Sequence, residues 1–213
     1  RAKYKSETGG RFFRKKNIEK IREEIIHLRD KYNVEAFYFW ADTFFAYSER
    51  EFDEFVEMYS EFKIPFWCQT RPETITEKRV KELADVGMFR MSFGIEHGNR
   101  EFRKRVINRS LSNEKIIASL KVVNNVGVNF SVNNILGLPY ETRDLTFDTI
   151  NLNRQIVSGD INAFSFCPFH GSQLRVLCEK EGYIEQGRIV RSFGKTTTLK
   201  MPQYPPEQIE GMR

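Results

Sequence analysis

The sequence is poor in the residues that usually mark metal sites and membrane spans. It has three cysteines, Cys68, Cys167 and Cys178, which stand 99 and 11 positions apart. Zinc and iron–sulfur ligand sets use cysteines two to four residues apart, so no metal ligand is expected among these residues. Each thiol reads instead as a small buried hydrophobe, and the odd, scattered set suits the reduced cytoplasm. There are only three histidines and no HxxxH spacing. His97 and His170 fall in loops, as structural donors or catalytic bases. The longest apolar run is six residues, 36–41. A membrane helix needs about 18, and no secretory leader is visible. A cytoplasmic protein without a membrane partner is the expectation.

Charge of one sign is scarce except at one end. The net charge is +5, but residues 1–16 hold seven basic residues against Glu7 alone. The other 197 residues carry 27 basic and 28 acidic side chains. That balance excludes a polyanion groove running along the fold and argues against a nucleic-acid partner. The basic segment reads as a solvated arm or as a loop facing phosphate or carboxylate groups.

Two kinds of periodicity alternate along the chain. Asn17 can cap a helix through Tyr32, with Ile18, Ile21, Ile25 and Leu28 on one stripe. Ser48 and Glu51 have capping-box spacing ahead of a second stripe, Phe52, Phe55, Tyr59 and Phe62. Thr76 opens a third helix that Gly87 closes, and further helices are expected over 100–107, 113–126, 142–157 and 173–181. Strands are expected over 34–40, 64–69, 89–96, 128–136 and 161–167. Within the first, the apolar run 36–41 reads as buried on both faces. Strands that alternate with helices make βαβ units and a parallel sheet, here a single α/β layer of about five strands closing toward a barrel.

In such folds chemistry collects at the carboxyl ends of the strands. Those ends read WADTF, CQTRPE, GIEHGN, ILGLPYE and FCPFHGS, whereas the opposite loops are short and bland. Asp42 and Glu96 are the strand-end acids. Such a pair suits acid–base catalysis, a divalent cation or capture of a substrate amine. Asp42 could equally close an Asx turn or cap a helix, and Glu96 could simply pair with Arg71 or Arg90. Gly94 would let a ligand approach the backbone. Arg71 could grip a carboxylate with two parallel hydrogen bonds. Gly137, followed by Pro139, ends an apolar strand in a turn where a flat heterocycle could stack.

The motifs FYFWADTF, FWCQTRPETIT, MSFGIEHGN, FSVNNILGLPYET and FCPFHGSQL, in this order and over about residues 11–184, resemble the radical S-adenosylmethionine (SAM) enzymes. The branch resembled is the one that often carries an upstream cobalamin-binding domain. The resemblance implies a partial parallel (β/α)6 TIM-like barrel over 17–184, with a C-terminal extension over 185–213. It implies SAM as cofactor and a 4Fe–4S cluster that cleaves it reductively to a 5′-deoxyadenosyl radical, for hydrogen abstraction or methyl transfer on a small-molecule substrate. A flavodoxin- or ferredoxin-like reductant is an implied partner, and cobalamin on a separate N-terminal domain is a further implied cofactor. By position, Ala41 and Asp42 would meet the methionine amino group, Arg71 a carboxylate, and Glu96 the ribose or the methionine end. Asn133, Ile135 and Gly137 would border the adenine, with Phe166, Cys167, Pro168 and Phe169 along its other edge. The family has a glycine where Asn133 stands. Its CxxxCxxC cluster motif is absent, so the expectation is a fragment, inactive by itself, whose residues 1–16 are the tail of the cluster loop. The alternatives are a non-catalytic binding module and a cluster-free barrel enzyme using Asp42 and Glu96.

Overall fold

A computed structural model describes residues 15–157, 159–190 and 196–213. Most of the basic N-terminal segment, residues 1–14, lies outside them. Lys15 and Lys16, its described end, pair with Glu51 and Glu24.

Five strands form one sheet in chain order, β1 (Phe37–Phe39), β2 (Phe66–Thr70), β3 (Met88–Glu96), β4 (Asn129–Leu136) and β5 (Asp160–Ser165). Every neighbouring pair is parallel. Helix α1 (Ile18–Tyr32) precedes β1, and the intervening helices are α2 (Glu49–Ser60), α3 (Glu77–Asp85), α4 (Arg100–Ile107), α5 (Asn113–Val126) and α6 (Arg143–Asn153). After β5 come α7 (Gln173–Lys180) and a short α8 (Pro206–Gly211). Parallel strands in sequential order, each joined to the next by a helical crossover, make part of a (β/α) barrel.

Local chemistry sets the helix starts. Asn17, Ser48, Thr76, Asn99, Ser112, Thr142 and Ser172 each cap a helix through a side-chain oxygen. At α2 the box is reciprocal, since Glu51 also accepts the Ser48 backbone N–H at 2.8 Å. The stripe Phe52, Phe55 and Tyr59 is fully buried, Phe55 and Tyr59 against Phe39 and Phe66 and Phe52 against Phe45. Phe66, Cys68, Met91, Phe93, Phe130 and Val132 extend this core across the helix-facing side of the sheet.

β1 corrects the expectation of a strand buried on both faces. It is three residues long, with Phe37 and Phe39 packed on the core while Tyr38 is 38% and Trp40 79% exposed. The cause is its position: β1 is an edge strand, and among the described residues nothing pairs with its outer side. A second apolar cluster holds Leu136, Cys178, Tyr183, Ile184, Leu199, Met201, Tyr204 and Ile209. It fastens the C-terminal residues over the end of β4.

Candidate functional site

Alternation along each strand leaves a second set of side chains on the inner face, away from the helices. There Tyr38 donates to Gln69 Oε1 at 3.0 Å, the Ser92 and Ser131 hydroxyls lie 2.8 Å apart, and Asn162 Nδ2 donates to Asn133 Oδ1 at 3.1 Å. Arg90 lies over the Trp67 ring and pairs with Asp160 across β4. Trp67 Nε1 and the Nε atoms of Arg71 and Arg90 are buried without an acceptor. A barrel filled to be inert would carry interlocking aliphatic side chains here. This one carries hydrogen-bonding groups with donors to spare.

Glu96 stands where β3 ends. A register shift between Gly94 and Glu96 and a left-handed φ of 67° turn its side chain back over the strand. A Cβ at position 94 would lie 2.4 Å from Glu96 Oε1. Gly94 therefore makes room for this carboxylate, in place of the expected close approach of a ligand to the backbone. The partner of Glu96 is also different from the two expected: Arg109 Nη1 sits 3.3 Å from Oε1 and donates to the Gly94 carbonyl at 2.8 Å. Arg90 is taken by Asp160, and Arg71 lies 3.7 Å from Glu73. Burial pushes the Glu96 carboxyl above its usual range, opposed by the charges of Arg109 and Arg71. Arg71, Gly94 and Arg109 line one cleft of about 600 Å³.

The loop bearing Arg109 is held from beneath by Arg103. That guanidinium is 1% exposed and donates to the His97 and Leu111 carbonyls and to Asn113 Oδ1 at 3.1 Å. The neighbouring strand ends are joined by a second buried group. Glu141 accepts the Leu138 N–H at 2.9 Å and the Thr146 hydroxyl at 2.8 Å. His97 Nε2 lies 3.3 Å from Glu141 Oε1, close enough to attract but poorly angled for a hydrogen bond. Neither Arg109 nor Arg103 was marked by periodicity or motif spacing, and Glu141 closes the quoted strand-end motif ILGLPYE without being singled out. Arg103 and Arg109 act from a helix and the loop after it, which only the fold brings beneath the strand ends.

The remaining expected residues are spread along the same rim. Asp42 is exposed in the turn after β1, and its side chain makes no hydrogen bond, so it neither caps α2, which Ser48 does, nor closes an Asx turn. Together with Ala41, Tyr38 and Trp40 it lines a groove of about 470 Å³ beside β1. Asn133 and Ile135 are half-buried on the inner face. Gly137, at φ 76°, is buried, and the space a side chain would take there is filled by Ile209, 3.1 Å away. Phe166 packs on the second apolar cluster, Cys167 is half-buried, Pro168 buried and Phe169 exposed. The fold thus sets Arg71 in one cleft with Arg109, the partner of Glu96, while Asp42 lines a different groove.

Among the described residues no three potential metal ligands lie together. Cys68 is fully buried on the helix-facing side with its pKa pushed up by burial, and Cys178 is pushed up to about 11 for the same reason. Thiols so protected from ionisation and so far apart do not fit an iron–sulfur cluster.

A model of the Radical SAM superfamily matches residues 3–152, and the chain belongs to that superfamily. Membership implies SAM and a 4Fe–4S cluster as cofactors. Among curated relatives, an uncharacterized methyltransferase of Pyrococcus horikoshii is 25% identical over 94% of this chain and 44% of its own length. Cytidylyl-2-hydroxyethylphosphonate methyltransferase of Streptomyces wedmorensis is 21% identical over 83% of this chain and 34% of its own. The chain therefore spans less than half the length of these relatives. Among solved structures, the radical SAM methyltransferase TsrM of Kitasatospora setae superposes with a TM-score of 0.68 at 12% identity, over 90% of this chain and 38% of that one. Coproporphyrinogen III oxidase of Escherichia coli gives 0.66 at 17% identity, over 91% and 43%. These likenesses establish the partial TIM-like barrel. No helix of the described residues is long and apolar enough to cross a membrane.

Proposed function

We propose that this chain is the SAM-binding core of a radical SAM methyltransferase. The observation that carries the reading is the Glu96–Arg109 pair, set with Arg71 at the carboxyl ends of adjacent strands. Two guanidiniums at one rim, one with an orphaned buried Nε, suit the methionine carboxylate of SAM. Glu96, held in place by Gly94 and Arg109, is an acceptor for ribose hydroxyls. Asn133 and Ile135 offer the adenine a polar edge and an apolar floor. Exposed and unpaired, Asp42 is free to meet the methionine amino group. When bound, SAM supplies a methyl group or a 5′-deoxyadenosyl radical. The names of the curated relatives support methyl transfer, and the small-molecule acceptor is left open.

Because Cys68, Cys167 and Cys178 do not fit a cluster, its ligands on this reading come from sequence outside these residues, and the fragment is inactive without them. A cobalamin-bearing domain and an electron-donor protein belong to the same proposal. The test uses the longer protein with a reconstituted cluster, a strong reductant and methyl-labelled SAM. The expected products are S-adenosylhomocysteine or 5′-deoxyadenosine. Neither product, at full cluster occupancy, would refute the reading.

A further inference from the structure

The cleft that holds Arg71 and Arg109 is more strongly cationic than one carboxylate requires. Arg100, Arg103 and Lys115 complete its basic wall, and Glu73 is the only acid among its lining residues. Glu96 offsets Arg109, and Glu114 lies near Arg100. Arg100 and Lys115 are exposed and form no ion pair among the described residues. This concentration does not follow from overall basicity, since residues 17–213 carry one more acid than base.

Arg103 is the most telling of the group. A buried charge is costly unless a counter-charge accompanies it. Here all its acceptors are neutral, two carbonyls and an amide oxygen. Burial and the nearby Arg109 and Arg100 act against its protonated form, and Glu73 offsets them only in part. A guanidinium does not lose its proton at neutral pH, so, with Glu73 the one acid in its lining, the cleft keeps an excess of positive charge that an incoming anion would offset.

We infer that the cleft contains a second anion site, formed by Arg100, Lys115 and the buried Arg103, for a multiply charged phosphoryl group of the substrate. It lies beside the Arg71–Arg109 end assigned to the cofactor carboxylate. Calling the ligand a substrate rests on the proposed function; the anion site itself does not.

The experiment titrates inorganic pyrophosphate and, separately, SAM into the 213-residue chain by calorimetry. Pyrophosphate is expected to bind saturably, and more weakly as salt is raised. The double variant Arg100→Gln/Lys115→Gln changes two exposed side chains, so its melting temperature should stay near wild type. Its pyrophosphate affinity should fall about tenfold or more, with SAM affinity unchanged. Absence of saturable pyrophosphate binding, or equal affinity in the double variant, overturns the site. So does a matching loss of SAM affinity, which would mean one site and not two. Pyrophosphate binding without SAM binding would support the anion site while counting against the proposed function.

Discussion

On its helix-facing side the sheet presents Phe66, Met91, Phe93, Phe130 and Val132, none more than 2% exposed. The same strands turn Gln69, Arg90, Ser92, Ser131 and Asn133 the other way. The first face obeys the ordinary rule for a core, where stability grows with apolar area removed from water. The second satisfies its polar groups in pairs, Ser92 with Ser131 and Asn133 with Asn162, and leaves Trp67 Nε1 and Arg90 Nε without acceptors. One face holds the molecule together, and on the proposed function the other faces the ligand.

Substitutions on the two faces should therefore fail differently. Phe93→Ala opens a cavity in the apolar face and should cost about 3–5 kcal/mol by denaturant titration. A cost under 1 kcal/mol would put that face on a par with the other. Gly94→Ala drives a Cβ into the Glu96 carboxylate. SAM affinity should fall about tenfold or more, while stability drops by only about 1–2 kcal/mol. Unchanged affinity would detach Glu96 from the cofactor.

The buried Glu96 gives a pH signature. Its folded pKa is raised, so its favourable contribution is complete below the unfolded carboxylate pKa and is lost as pH rises through the folded one. Wild type should lose stability relative to Glu96→Gln as pH rises from 4 to 7. Parallel stability curves for the two proteins would show that burial has not shifted the group. The smallest effect belongs to the serine pair. Ser92→Ala or Ser131→Ala alone leaves a buried hydroxyl orphaned and should cost about 1 kcal/mol, whereas the double variant should cost less than the two single changes together. Strict additivity would mean that the 2.8 Å contact carries no energy.

Much of the architecture was legible because it is local. Helix stripes repeat every three or four residues, and Asn17, Ser48 and Thr76 announce their helices through capping. The parallel order followed from strands separated by helical spans. The edge strand was misread because the apolar run 36–41 looks the same whether one face or both are covered; only its neighbours decide that. At the site, Arg71 and Glu96 were visible as strand-end residues, but their partners were not. Arg109 follows Glu96 by a whole helix, and the turn of the chain around α4 is what returns it to the Gly94 carbonyl. Gly94 itself was read as open backbone, because a sequence does not show that the carboxylate two residues on folds back over it. The Ile209 cover on Gly137 came from a C-terminal segment without strong periodicity.

The most direct test of SAM binding at the inner rim is calorimetric titration of SAM into wild type and Arg109→Gln. Wild type should bind saturably, and the variant should bind about tenfold or more weakly while melting within a few degrees of it. Equal affinity in two folded proteins would contradict the assignment.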